Sequence, residues 1–126
     1  MLLALFITLV SSLNFQSKIY CNNFKIPFLG KNQDIKLTFD DTGRCQLKCN
    51  GYLNYKKKGW WDFSNDSIEE VNKKLDNDED IIYLKRKYLF ALSDLQYDKI
   101  NDIISIKVKS YLFPLSKRIK LYNFDC

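Results

Sequence analysis

The chain has 126 residues, with 20 Lys and Arg against 15 Asp and Glu, a formal net charge of +5 and no histidine. That length suits one domain, and the absence of histidine excludes Ser-His and Cys-His nucleophile pairs and imidazole metal ligands. Aromatic residues make up 15%, enough large rings to fill a core.

Met1 to Ser12 carry no charged side chain, and Leu2 to Val10 form an apolar run interrupted only by Thr8. Such a run is too short for a bilayer core, which needs roughly 20 residues. It matches the apolar region of a secretion signal, and Val10-Ser11-Ser12 supplies a small-residue cleavage site. Residues 1–12 are therefore expected to be a signal peptide, and residues 13–126 a single secreted, disulfide-bonded β domain.

All four cysteines, Cys21, Cys45, Cys49 and Cys126, lie beyond that segment. An even count behind a secretion signal predicts two disulfides. Cys45 and Cys49 share one predicted strand, where four residues span roughly 13 Å, against the approximately 7 Å limit for bridged Cα atoms. Two pairings remain: Cys21–Cys45 with Cys49–Cys126, or Cys21–Cys49 with Cys45–Cys126. Cys-x-x-x-Cys without histidine is a poor zinc pattern, so neither a metal nor another cofactor is expected.

Asp34 to Asp41 alternates, with Ile35, Leu37 and Phe39 opposed to Lys36, Thr38 and Asp40, as in a half-buried strand. Asp41-Thr42-Gly43 has turn chemistry. The next strand sets Cys45, Leu47 and Cys49 against Gln46, Lys48 and Asn50, completing a hairpin. Gly51 suggests a bulge. Tyr52 to Tyr55 continue extended, Lys56-Lys57-Lys58-Gly59 turns, and Trp60 to Phe63 read as a third short strand. Ser67-Ile68-Glu69-Glu70 is a capping box. Ile68, Val71 and Leu75 then share a helical face, giving one short helix over about 67–76 that closes in the polar loop Asp76 to Asp80. Ile81 to Lys87 reads as strand, Tyr88 to Tyr97 is ambiguous, and Asp102 to Tyr111 alternates with Ile104, Ile106 and Val108 inward. Leu112 to Ser116 reads as a turn, and Lys117 to Phe124 as a last strand. The expected fold is mainly β: a small antiparallel barrel or sandwich of about six to eight strands with one short α-helix.

Phe39-Asp40-Asp41-Thr42-Gly43, Gly51, Gly59-Trp60-Trp61-Asp62-Phe63 and Ile81-Ile82-Tyr83-Leu84 together resemble the hairpin series of small lipocalin-like barrels, over residues 34–84. The resemblance implies a barrel with an internal pocket for an apolar ligand. Trp61, Phe63, Leu37, Phe39 and Ile106 are the residues expected to line that pocket or fill the core.

Charge is segregated. From Thr42 to Trp61 the charged residues are Arg44, Lys48, Lys56, Lys57 and Lys58, and from Ile103 to Phe124 they are Lys107, Lys109, Lys117, Arg118 and Lys120. Between these stretches, Asp62 to Asp80 is strongly acidic. A basic face of this kind suits an anionic partner. Lys56, Lys57, Lys58 and the adjacent Trp60 are the candidate surface-binding residues. Asn65-Asp66-Ser67 is an N-glycosylation sequon, with Asn65 as acceptor. The paired carboxylates fall in turns and lack the opposed placement of a catalytic pair.

The expected function is that of a secreted, non-enzymatic binding module for a partner protein, a glycan or an apolar small molecule. The alternative is a viral or parasite host-interaction protein acting through a basic surface on anionic glycan, lipid or protein. Peripheral contact with an anionic membrane falls within that range. Nucleic acid does not, because a secretion signal argues against it.

Overall fold

The computed structural model describes residues 15, 17–26, 30–111, 115–123 and 126. The expected signal peptide and residues 112–114 of the turn expected over 112–116 lie outside the described residues, and Leu115 and Ser116 of that turn belong to a strand. The strands are β1 (Ile19–Lys25), β2 (Asn32–Phe39), β3 (Arg44–Gly51), β4 (Tyr55–Lys56), β5 (Trp61–Asp62), β6 (Phe90–Asp98), β7 (Ile103–Ser110) and β8 (Leu115–Tyr122). Two helices, α1 (Ile68–Asp76) and α2 (Glu79–Tyr88), separate β5 from β6.

The strands form one antiparallel sheet in the order β4-β3-β2-β1-β8-β7-β6, with β5 also paired to β3. The sheet is curled into a half-barrel. Two meanders, β1-β2-β3 and β6-β7-β8, meet where β1 pairs with β8 at Cys21 and Tyr122. The mainly β expectation holds, and the sheet stays open.

The alternating patterns set the register. Tyr20 faces Leu37, which faces Leu47, while Ile104 faces Leu121 and Ile106 faces Ile119. All of these side chains are buried on the inner face. A bulge between Ser93 and Gln96 resets β6, so that Leu92 and Leu95 both point inward.

The helices bridge the gap that a closed barrel would fill with strand pairing. α1 begins at Ser67, whose hydroxyl accepts the Glu70 N–H, and it buries Val71 and Leu75. Its Asn72 side chain bonds the Leu95 N–H and C=O at 2.8 and 2.9 Å, satisfying backbone groups that the bulge removes from the ladder. On the other side, Lys74 Nζ donates to the Asp62 carbonyl at 2.7 Å. α1 therefore ties β6 to β5.

The segment expected to be a strand over Ile81 to Lys87 is helix α2, and the polar loop before it ends in a cap. The Asp78 carboxylate accepts the Asp80 and Ile81 N–H groups. Glu79 and Asp80 occupy the first turn and Lys85, Arg86 and Lys87 the last, matching the helix dipole. Ile81 and Leu84, three apart, supply the buried stripe. Capping, dipole and tertiary burial outweigh the strand preference of Ile81-Ile82-Tyr83. The lipocalin-like pattern therefore breaks at 81–84, and what stands of it is an antiparallel half-barrel. The expected third strand over Trp60 to Phe63 shrinks to the two residues of β5.

The disulfide pattern also differs from both expected pairings. Cys21 bonds Cys126, with Cα atoms 6.0 Å apart, and Cys45 and Cys49 are buried free thiols. On β1, Tyr20 and Phe24 take the inward positions and Cys21 points outward. On β3, Cys45 and Cys49 point inward. The register neighbour of Cys21 is Lys36 on β2, so β3 lies a full strand further away. Opposite faces and an intervening strand prevent either cysteine of β3 from reaching Cys21.

Candidate functional site

The residues expected to line a ligand pocket or core are all buried. Leu37, Phe39, Trp61, Phe63 and Ile106 belong to one continuous apolar cluster with Tyr20, Leu47, Val71 and Leu84. The Trp61 and Phe63 rings stack at 5.6 Å. Phe15 packs edge-on against Tyr20 and Tyr97 at 5.3 and 4.6 Å. These side chains make up the inner face.

Of the proposed surface residues, Lys56, Lys58 and Trp60 are exposed, whereas Lys57 is buried. Lys57 Nζ lies 2.8 Å from Asp80 and 3.4 Å from Asp78, and 4.7 Å from the centre of the Trp61 ring. The Trp61 indole N–H donates to Asp78 at 2.8 Å. Burial opposes ionisation of Asp80, but hydrogen bonds from Lys57 and Tyr55 outweigh it and hold its carboxyl below the usual range. Lys57 thus fastens the β4–β5 connection to the start of α2 and is not available to a partner. In a run of three lysines, nothing in the sequence distinguishes the one that is itself buried against Asp78 and Asp80.

The outer face of the half-barrel carries a different basic array. Lys36 on β2 stands directly opposite Lys48 on β3, and Lys48 directly opposite Lys56 on β4. Neighbouring strands lie about 4.8 Å apart, so the three form a transverse lysine row. Like charges placed directly opposite are destabilising. None of the three makes an ion pair among the described residues, unlike Arg44 with Asp40 or Arg118 with Asp94. The row continues to Cys21, the β1 neighbour of Lys36, and from there to Tyr122 on β8.

Beside the row lies an open cleft of about 420 Å³ lined by Cys21, Asn23, Asp34, Lys36, Lys48 and Asn50, among others. The Asn23 amide donates to Asp34, the carboxylate within this cleft. Asn22 donates to the Lys120 carbonyl across the β1–β8 seam at 2.8 Å. Lys120, Lys107 and Arg118 extend the basic surface over β7 and β8, and Arg118 is held by Asp94 and Ser105. The alternation within each strand had placed Lys36 and Lys48 outward. That they stand in one row depends on the register between strands.

Other polar clusters are absorbed by structure. The Asp102 carboxylate accepts the Tyr20 and Tyr97 hydroxyls at 2.6 and 2.9 Å, the Lys18 ammonium at 3.2 Å, and the Asn123 amide. Burial and this carboxylate raise the Tyr97 hydroxyl to about 12. The cluster pins β1, the β6–β7 turn and the end of β8 together. Burial raises the Cys49 thiol to about 12 and pushes Cys45 upward as well, so neither is a thiolate at neutral pH. Among the described residues no group of three or more Cys, Asp or Glu side chains is arranged to hold a metal ion, and no helix is long and apolar enough to cross a membrane. Asn65 is exposed in a left-handed turn conformation, φ 62°, two residues before the helix cap Ser67.

The chain matches no protein-family model, and no curated protein or solved structure matches it.

Proposed function

We propose that this protein is a secreted, non-catalytic binding module that recognises a linear anionic glycan through the outer face of its half-barrel. The observation that carries the reading is the row Lys36–Lys48–Lys56, adjacent in register and without carboxylate partners among the described residues. Such a row gains from an anion that bridges neighbouring ammonium groups, and sulfate groups along a glycan chain present repeated charges. Asn23 and Asn50 beside the row supply amide groups suited to sugar hydroxyls. The cleft beside the row and the groove between Tyr52 and Tyr88 open at the surface, which favours surface recognition over an enclosed apolar ligand. The Cys21–Cys126 disulfide fits an extracellular setting, and the exposed Asn65 turn suits a glycan there.

Heparin-affinity chromatography tests this. Lys36→Glu with Lys48→Glu is expected to elute at markedly lower salt than the parent. Lys73→Glu with Lys99→Glu makes the same change in net charge at exposed positions outside the row and is expected to elute close to the parent. Equal losses in both pairs would reduce the interaction to net charge and remove the site.

A further inference from the structure

A second surface is built around α2. Its inward face is Ile81 and Leu84, yet its outward turns carry Ile82 and Tyr83, 41% and 46% exposed, where a solvated helix would carry polar residues. Tyr88, Leu89, Tyr52 and Tyr111 are also large, exposed and apolar in part. They are connected: the Tyr83 and Tyr88 rings meet edge-on at 6.3 Å, and the Tyr111 N–H donates to the Leu89 carbonyl at 2.8 Å. A groove of about 340 Å³ runs between Tyr52 and Tyr88.

Cations interleave these rings. Lys87 Nζ lies 5.4 and 5.5 Å from the Tyr83 and Tyr88 ring centres. Lys109 and Lys85 lie 5.0 and 5.5 Å from Tyr111, and Lys31 lies 5.8 Å from Tyr52. The acids of α2, Glu79 and Asp80, lie in its first turn and share an open cleft with Ile82 and Tyr83, where Lys56, Lys58 and Arg86 outnumber them and Asp80 is held by Lys57. Leu89 caps α2 in the left-handed conformation, φ 54°, a place that favours Gly or Asn. A strained apolar residue exposed at the centre of such a patch points to a use outside folding.

We propose that this patch docks peripherally on an anionic phospholipid surface. Tyrosines seat at the headgroup level, with hydroxyls in water and rings against lipid. Ile82 and Leu89 enter the boundary beneath them, and the interleaved lysines meet lipid phosphates. Sugar hydroxyls would leave Ile82 and Leu89 uncovered, which favours lipid over glycan here. The proposal does not depend on the lysine row.

The test is sedimentation with phosphatidylcholine vesicles, with and without phosphatidylserine. The parent protein is expected to bind only the serine-lipid vesicles. Tyr83→Ser with Leu89→Asn removes two anchors while Asn relieves the strain at the cap, so binding should fall at least fivefold with the thermal midpoint held or raised. Lys36→Glu with Lys48→Glu should retain vesicle binding. Absence of serine-lipid binding by the parent, undiminished binding by the Tyr83/Leu89 variant, or a dimer formed through the patch in sedimentation velocity would each overturn it.

Discussion

Gly51 has φ 129°, and a Cβ placed there would run into the Asn32 carbonyl oxygen. Beside it, fully buried Gln33 donates to the Leu53 carbonyl at 2.9 Å and accepts the Leu53 N–H at 2.7 Å, holding the turn that follows β3. Gly51→Ala combines a clash with backbone strain and should lower stability by at least about 2 kcal/mol, read as a shift of the urea midpoint. Lys57→Ala would leave Asp78 and Asp80 without their cation. Lys57 is almost wholly buried and Asp80 partly open, so the expected loss is about 2–3 kcal/mol, below that of a fully buried pair. Gly51 stands out in the sequence but reads there as a bulge; the β2–β3 register runs unbroken to Gln33–Gly51, and the glycine instead permits the close approach of Asn32 at a φ that other residues rarely adopt. Gln33 and Lys57 do not stand out, because each is defined by partners about twenty positions away.

At the scale of elements, the β2–β3 hairpin and the Ser67 cap of α1 were readable because their causes are local. The Asp40 carboxylate illustrates this: the Thr42 hydroxyl, aided by the Arg44 and Thr42 N–H groups, lowers it to about 2. α2 was misread because its apolar run Ile81-Ile82-Tyr83 suits a strand, and its two exposed members belong to a surface patch rather than a sheet. Asp80 and Asp102 are likewise held low, each against the opposing effect of burial, by hydrogen bonds that include Lys57 and Lys18. A carboxyl with a depressed folded value contributes stability above the ordinary carboxylate value of about 4 and loses it as pH falls through the folded value. Urea midpoints should therefore be level from about pH 7 to 5 and fall steeply toward pH 2. The cysteines make a further element-scale prediction. A thiol reagent should find no reactive group in the native protein and two after denaturation, from Cys45 and Cys49.

At the scale of the molecule, two meanders are joined at a short β1–β8 seam, and the Cys21–Cys126 bond lies beside it, closing 105 residues of sequence. Reduction, or Cys126→Ser, should lower stability by about 5 kcal/mol on the chain-entropy estimate, seen as a large fall in the thermal midpoint. Nothing local in the sequence marks that Cys21 faces outward on β1, so the pairing became readable only with the sheet. The same holds for the lysine row: the alternation shows Lys36 and Lys48 outward, Lys56 reads as part of a turn, and the strand order and register make the three neighbours. Chemical-shift mapping with a heparin oligosaccharide tests that row most directly. Binding at this site predicts that the amides of Lys36, Lys48, Lys56, Asn23 and Asn50 move together and saturably, while those of α2 stay still. Shifts confined to α2, or spread evenly over every exposed lysine, would contradict it.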